Sequence, residues 1–504
     1  MKKYWMLAVL AFVVLGFAAI WMGGLNQDEG WYLYAANLVS EGQVPYRDFF
    51  YTQGPVMPIV YSAFTRIWRD YGLLGARAFT LAIGFLGIVF ACALAQRLAK
   101  RGAGLVTFFL LATNLYHLYY LAIPKTYALA GLFVMVGFYL LSFVQTTFYK
   151  KWVVNACALG AGLCLALAAG TRISLGAILP VVGVALLVAD MRRRGRRLSG
   201  RLSWALFGFG GLLGLGLVYG SLLVDDGARA GLIAAQQYHA ARGGSDIVWT
   251  VGSLSRLVRW YLPVFVVLGL GVAAGLKSRD SEEASPVVGR WLSVVAFLSF
   301  LAVFAVQMLA PFPYEDYQVP IMGLLAVVAA VGFVSAPRRE VTPGTLLVLG
   351  LCFASSFGSP LLEKWMTNGQ DRFWSIKKPQ AELAQLREVA QKIKALDPDG
   401  TTLLTQDLYL AIELNRKVPK GLEMGPFAML SDAEWRQLLT TAHETCPVAA
   451  LSGYSFAIEP PACTERSVTT QLDYYRLLEP TYGPAFREEN FGQNATPLLV
   501  LKRK

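Results

Sequence analysis

The chain has 504 residues, of which 55% are hydrophobic and only 15% are charged, and its formal net charge at pH 7 is +12. A soluble globular protein carries about 25% charged residues, so this composition excludes an ordinary soluble enzyme and indicates a membrane protein. The densest basic run, at residues 192–201, has no aromatic side chains interleaved with it. We therefore expect no nucleic-acid partner, and interpret the basic charge as a topology signal.

Apolar runs of about 20 residues, the length that crosses a bilayer, recur through the first 360 positions. The pattern predicts a polytopic α-helical membrane protein with about eleven transmembrane helices, so the lipid bilayer is an expected partner. The first run lacks an Ala-x-Ala site and is interpreted as a retained span rather than a signal peptide. The predicted spans are 4–22, 76–98, 102–121, 127–143, 152–169, 174–189, 202–224, 260–276, 291–310, 319–335 and 345–357.

Lys and Arg collect in alternate loops between these spans, as at Arg97, Lys150, the run 192–201 and Arg338. All these loops fall on one side if the N-terminus is cytoplasmic, which the excess of positive charge in cytoplasmic loops favours. We therefore expect a multi-pass protein of the inner (cytoplasmic) membrane. The first loop, residues 24–75, and the C-terminal region would then face the periplasm or the outside.

The chain changes character near residue 360, which divides a membrane domain (1–360) from a smaller domain (361–504) that alternates polar and apolar residues. We expect this to be a small extracytoplasmic α/β domain. Cys446 and Cys463 lie in it, and in an oxidising compartment they predict a disulfide, with two free thiols as the open alternative. The predicted elements are helices at 381–395 and 408–414, and strands at 401–405, 448–451 and 498–501.

Two adjacent carboxylates, Asp28 and Glu29, come directly after the first span. Ionised groups beside a membrane are costly unless they are solvated, paired or used. The loop that follows is too long for a simple connector. Its aromatic side chains suit a membrane-interface layer and equally suit platforms for sugar rings. The residues alone leave these two interpretations open.

Other motifs of catalysis are missing from the sequence. It contains no Walker loop, dinucleotide fingerprint or nucleophile elbow, and the three histidines show no metal-site spacing with the cysteines. We therefore expect no cofactor. A divalent metal is not favoured, because Asp28 and Glu29 are the only adjacent acids in this loop and no histidine accompanies them.

Short motifs follow these acids in a distinctive order. They are Asp28-Glu29-Gly30, Tyr34-Ala35-Ala36, Gly42, Pro45-Tyr46-Arg47-Asp48, Gln53-Gly54-Pro55, Gly75-Ala76-Arg77, Pro124-Lys125-Thr126-Tyr127 and Gly170-Thr171-Arg172. With this order and topology the chain resembles the GT-C fold glycosyltransferases, in particular their protein mannosyltransferase and aminoarabinose transferase branch. The resemblance covers the first half best. It departs where Thr52-Gln53-Gly54-Pro55 replaces a Glu-Lys-Pro element, which leaves open the group that contacts the donor phosphate there.

The resemblance implies an integral-membrane glycosyltransferase that takes a sugar from a polyprenyl-phosphate donor. The acceptor would be a lipid, a glycan or a protein on the outer face of the membrane, and transfer would invert the sugar's configuration. Asp28 is implied as the base that takes the acceptor's proton. Glu29 would orient Asp28, bind the acceptor or bind a metal.

The leaving polyprenyl phosphate needs cations beside it. Lys125 and Arg172, at outward span ends, are the main candidates, with Arg77 less central. Asp48 and Tyr317 complete the predicted substrate-binding residues.

Two other interpretations of the sequence compete with a glycosyltransferase. A transporter or flippase for lipid-linked sugars would show charges or breaks within spans and an internal repeat. An O-antigen ligase-like enzyme would place its key residues in a late outward loop.

Overall fold

The computed structural model describes residues 2–99, 102–144, 149–194, 202–241, 247–277, 287–310, 312–335, 380–453, 455–456 and 468–504. The described residues up to 335 form a helical bundle, and those from 380 onward form a C-terminal domain. The helices of the bundle region are α1 (Lys2–Met22), α2 (Gln27–Ser40), α3 (Val56–Ser62), α4 (Thr65–Leu98), α5 (Ala103–Ala112), α6 (Leu115–Ala122), α7 (Thr126–Val144), α8 (Lys151–Thr171), α9 (Ile178–Arg194), α10 (Ser203–Val224), α11 (Asp226–Ala240), α12 (Ile247–Trp260), α13 (Leu262–Lys277), α14 (Val287–Met308) and α15 (Val319–Ser335).

The predicted polytopic architecture is confirmed. Eight described helices are long and apolar enough to cross a membrane, and two bent pairs raise the number to ten if each pair is one span. The pairs are α5 with α6, bent by 70°, and α12 with α13, bent by 77°. These correspond to the first ten predicted spans. The eleventh, at 345–357, lies outside the described residues.

The predicted first loop is largely helical. Its longest element, α2, begins at Gln27 because Asn26 and Glu29 form a capping box. In this box the side chain of each residue accepts a hydrogen bond from the backbone N–H of the other. Most of α2 is buried between the bundle and the C-terminal domain. The acidic motif therefore lies on a rigid element rather than on a mobile loop.

The C-terminal domain contains four described helices and a three-stranded antiparallel sheet. The strands lie in the order β1–β3–β2. The elements are α16 (Glu382–Leu396), α17 (Leu408–Leu414), α18 (Asp432–Thr445), β1 (Val448–Ser452), α19 (Val468–Leu478), β2 (Tyr482–Phe491) and β3 (Thr496–Arg503).

Both predicted helices and two of the three predicted strands of this domain are confirmed, at α16, α17, β1 and β3. The predicted strand at 401–405 is wrong, because Thr402 and Leu404 form only isolated bridges. Cys446 is buried at the end of α18. Its predicted disulfide partner, Cys463, lies outside the described residues, so that bond stays a prediction.

Helix α4 connects the two faces of the bundle. Its axis breaks at Gly72, whose φ is 64°, and Leu73 N then donates to Glu413 of the C-terminal domain at 2.8 Å. Arg97 lies in the last turn of the same helix. The stretch between Leu73 and Arg97 spans about 36 Å at the α-helical rise, more than the ~30 Å hydrocarbon core of a bilayer. The C-terminal domain and Arg97 therefore lie at opposite ends of the bundle.

Candidate active site

The first turn of α2 directs three consecutive residues to three different surroundings. Asp28 points toward Lys125, which precedes α7. Glu29 points toward Arg77 of α4 and is fully buried. Gly30 faces the C-terminal domain so closely that a Cβ atom would collide with the backbone of Leu408 and its neighbour. Each residue of the Asp-Glu-Gly motif thus has its own role. Asp28 belongs to the candidate site, Glu29 pairs with another helix of the bundle, and position 30 has no room for a side chain.

A cluster of two carboxylates and an ammonium group lies at the first turn of α2. Lys125 Nζ is 2.7 Å from Asp28 Oδ2 and 3.4 Å from Asp316 Oδ2. Trp31 Nε1 donates to Asp28 Oδ1 at 3.0 Å, and Tyr127 donates to Asp316 at 2.7 Å. The side chain of Asp28 is 26% exposed, whereas those of Lys125 and Asp316 are 8% and 9% exposed. Asp28 is therefore the member of the cluster most open to a substrate.

Arg172 adds a second cation beside this cluster. Its guanidinium lies over two aromatic rings, 5.1 Å from the centroid of Tyr127 and 4.5 Å from that of Tyr317. Its Nε is buried and has no hydrogen-bond partner in the part of the chain that the structure describes. Cation–π contacts hold the group without neutralising it. Arg172 thus keeps hydrogen-bonding capacity and charge for an anion.

Two glycines bring Arg172 to this place. The loop backbone at Gly54 lies so close to Gly170, at the end of α8, that a Cβ on Gly54 would collide with the carbonyl of Gly170. The end of α8 therefore packs directly on the first loop, and Arg172 follows as its C-cap residue. The Gln53-Gly54-Pro55 motif therefore has a packing function here.

The charges around Asp28 decide its protonation state. Burial alone raises the pKa of the Asp28 carboxyl. The ammonium of Lys125, the hydrogen bond from Trp31 and the charge of Arg172 lower it, and they prevail, so that the pKa lies below the usual aspartate value. The opposite shift holds for Lys125: burial lowers its pKa, but Asp28 and Asp316 raise it well above the ordinary lysine value. Asp28 is ionised and Lys125 is protonated at neutral pH.

Glu29 and Arg77 form a fully buried ion pair. Arg77 donates to both carboxylate oxygens of Glu29, at 2.6 and 2.7 Å, and both side chains are 0% exposed. Arg77 also donates to the carbonyls of Ile20, Gly23 and Gly24, each at 2.9 Å. This arrangement ties α1, α2 and α4 together. The predicted catalytic role of Glu29 and substrate contact of Arg77 stay untested, and their burial favours structural roles.

Asp48 lies apart from the cluster. It pairs with Arg47 at 2.9 Å and accepts from Val44 N at 2.7 Å. The Arg47 hydrogen bonds are the main reason why the pKa of Asp48 lies below its ordinary value. Asp48 also lines a cleft of about 560 Å³ between residues 48–50 and the C-terminal domain. Of the predicted site residues, Asp28, Lys125, Arg172 and Tyr317 come together, whereas Asp48, Glu29 and Arg77 do not join them.

Asp316 was not among the predicted catalytic or substrate-binding residues. It lies in a 3₁₀ turn, Glu315–Gln318, just before α15. The polar run at residues 314–318, before the tenth predicted span, was its only signal, and a plain loop has the same signal. The neighbouring Glu315 pairs with Arg256 at 3.0 Å. Arg256, a further cation that could have bound a phosphate, is therefore already paired.

Within the described residues, no three His, Cys, Asp or Glu side chains are grouped as a metal ion would require. Asp28 and Asp316 share Lys125 between them, so an ammonium stands where their charges would otherwise meet.

Comparison with known proteins identifies the fold. No family model and no curated protein matches the sequence. Among solved structures, the chain is similar to ArnT from Cupriavidus metallidurans in the apo state, with a TM-score of 0.62 and 16% identity over 99% of this chain and 98% of that one. ArnT from the same organism bound to undecaprenyl phosphate gives a TM-score of 0.62 and 14% identity, with the same coverage.

The apo oligosaccharyltransferase of Archaeoglobus fulgidus is also similar, with a TM-score of 0.51 and 11% identity over 97% of this chain and 74% of that one. Identities this low show the fold alone. The chain has the GT-C fold that its motifs predict, and the similarity extends across both the helical bundle and the C-terminal domain.

Proposed function

We propose that this protein is a membrane glycosyltransferase that transfers a sugar from a polyprenyl-phosphate donor to an acceptor hydroxyl. The observation that carries the proposal is the cluster of Asp28, Lys125 and Asp316 at the first turn of α2, with Arg172 beside it. It combines a partly exposed carboxylate with two cations where a lipid-borne substrate can arrive. ArnT, which shares the fold, has been observed with undecaprenyl phosphate bound.

Asp28 is the base in this proposal. As the acceptor oxygen attacks the anomeric carbon, its proton moves to the Asp28 carboxylate, and the bond between that carbon and the phosphate oxygen breaks. Attack from the side opposite the phosphate inverts the anomeric configuration. Asp28 is ionised in the free protein, which is the state that a base needs.

Lys125 and Arg172 stabilise the phosphate that leaves. Among the described residues, ring contacts hold the Arg172 guanidinium and its Nε has no hydrogen-bond partner, so a phosphate could accept from this Nε. Lys125 is shared between Asp28 and Asp316. A phosphate that draws Lys125 away from Asp28 would raise the basicity of that carboxylate when the donor is in place. Donor binding would in this way activate the base.

The acceptor would approach from outside the membrane. The cleft of about 560 Å³ between residues 48–50 and the C-terminal domain lies within the size range of ligand pockets. Its wall residue Phe49 contacts Tyr51, and Tyr51 contacts Trp31, whose indole holds Asp28. This supports an acceptor, whether lipid, glycan or protein, with a part that extends beyond the bilayer surface.

The proposed location is the cytoplasmic membrane, with the cluster and the C-terminal domain on the outer face. The support is the arrangement of α4, which separates Arg97 from the C-terminal domain by more than the thickness of a hydrocarbon core. Arg97 belongs to the loops that the distribution of positive charge assigns to the cytoplasm.

The experiment uses the purified full chain in lipid nanodiscs with a panel of radiolabelled polyprenyl-phosphate sugars. A transferase releases polyprenyl phosphate and moves label to an acceptor extract, and the product should have the inverted anomeric configuration. In sealed proteoliposomes, a flippase would move intact donor between leaflets without cleaving it. Translocation without cleavage would reject the proposal in favour of transport.

A further inference from the structure

The C-terminal domain holds the first turn of α2 through a buried polar contact. Gln27, directly before Asp28, donates from Nε2 to Asp407 Oδ1 at 2.8 Å. Tyr409 also donates to Asp407 Oδ1, at 2.9 Å, and Gln27 N donates to Gln493 Oε1 at 2.7 Å. Asp407 is 1% exposed and Tyr409 is 0% exposed. Two segments of the C-terminal domain therefore fix the residue next to the proposed base.

The backbone packing at Gly30 strengthens this hold. A Cβ on Gly30 would collide with the backbone of Leu408 and Tyr409, so α2 and α17 are in direct main-chain contact two residues from Asp28. Contacts this close leave little room for α2 to shift, because packed interiors do not deform continuously. The position of Asp28 relative to Lys125 thus depends on the C-terminal domain as well as on the bundle.

The other end of α2 also contacts the C-terminal domain, but differently. Lys417 Nζ lies 2.7 Å from Glu41 Oε2, just after the helix, and the two side chains are 62% and 32% exposed. Exposed ion pairs contribute little and adapt readily. The two contacts join the same helix to the same domain, one buried beside Asp28 and one exposed at the far end. They provide a matched pair for experiment.

We propose that Asp407 is a positioning residue, through which the C-terminal domain fixes the first turn of α2 and so aligns Asp28 for proton transfer. The proposal rests on the proposed function, and adds that the C-terminal domain takes part in the turnover of the site. Asp407 acts through Gln27 and does not touch the reacting atoms. A misplacement of a catalytic group by about 1 Å can lower a rate by about 10²-fold, which is the scale of effect expected.

The test compares Asp407→Ala with Lys417→Ala in the full-length protein in nanodiscs. We expect Asp407→Ala to lower kcat by about 10-fold to 10²-fold with the KM for the donor changed little, because the cations are unaltered. Lys417→Ala should keep the kcat of the unmodified protein. Asp407→Asn keeps an oxygen that accepts from Gln27 and should restore most of the kcat. Should Asp407→Ala fail to fold, Gln27→Ala removes the same hydrogen bond from the helix side.

A second measurement separates this inference from the proposed function. Hydrogen exchange of the α2 amides in the donor-free protein should accelerate over residues 27–33 in Asp407→Ala or Gln27→Ala, and should be unchanged there in Lys417→Ala. If no sugar substrate is turned over, the proposed function fails, and hydrogen exchange still reports whether Asp407 holds the helix. Unchanged exchange over 27–33, or a kcat equal in Asp407→Ala and Lys417→Ala, would overturn the positioning role.

Discussion

The buried pair Glu29–Arg77 gives a prediction whose magnitude follows from its geometry. Glu29→Gln removes the negative charge but preserves the shape, and leaves the Arg77 guanidinium with carbonyl oxygens and one amide oxygen as partners. Both residues are 0% exposed, so solvent cannot compensate the remaining charge. Breaking a buried ion pair on one side destabilises a protein by about 3–5 kcal/mol. This corresponds to a roughly 10²–10⁴-fold shift in the folding equilibrium.

The assay is equilibrium unfolding by SDS in mixed micelles, followed by tryptophan fluorescence. A matched control is Asp70→Asn, which breaks the exposed pair of Arg66 and Asp70 on the same helix, α4. That change should alter the unfolding free energy by less than about 1 kcal/mol. Combining Glu29→Gln with Arg77→Met removes both charges, and should be less destabilising than the sum of the single changes.

An unfolding free energy for Glu29→Gln equal to that of the unmodified protein would refute the structural role of this pair. If the Glu29→Gln protein folds but no longer transfers sugar, Glu29 has a catalytic role. Restoration of transfer by added divalent metal would then indicate a metal ligand. We expect neither outcome, because the carboxylate of Glu29 accepts hydrogen bonds from Arg77 and Asn26 N.

Three further predictions concern the site and its orientation. Arg172→Ala should raise the Kd for undecaprenyl phosphate by about 10-fold or more, since hydrogen bonds to charged groups contribute about 1.5–3 kcal/mol. Arg259 lies over the ring of Trp260 instead, so Arg259→Ala should not change that Kd. In Lys125→Met, burial acts on Asp28 without its ammonium partner, so the pKa of Asp28 rises. Because the ionised form is active, the acid limb of the kcat/KM profile should move to higher pH, and an unmoved limb would exclude Asp28 as the group it reports. Ser199→Cys should react with a membrane-impermeant thiol reagent only after permeabilisation, whereas Ser40→Cys should react without it. The reverse pattern would show that the predicted topology is inverted.

The membrane architecture was predictable from the sequence because each span carries its own signal. An apolar stretch that satisfies its backbone internally needs no distant partner to be recognised. The bends of α5–α6 and α12–α13 were not predicted, since hydropathy averages over a window and does not register a break of a few residues. In the C-terminal domain, β2 was missed because the charged run Arg487-Glu488-Glu489 obscures the alternation of apolar residues.

The site was predictable in its residue types but not in its pairing. Asp28 follows the first span, and Lys125 and Arg172 lie at span ends that are predicted to face outward, where charged residues are conspicuous in the sequence. The contact of Lys125 with Asp316 depends on how α7 packs beside α15, and residues this far apart in sequence give no local signal. The position of Glu29 three residues after Asn26 matches a capping box. That spacing was the available sequence signal that the Glu29 side chain caps the helix.

The central claim is that Asp28 performs base catalysis in sugar transfer. The most direct test measures transfer from radiolabelled polyprenyl-phosphate sugar by Asp28→Asn, a change that keeps the side-chain shape and removes the base. We predict a fall in kcat of about 10²–10⁴-fold, with folding and carrier-lipid binding retained. Near-native turnover by a well-folded Asp28→Asn protein would contradict the account.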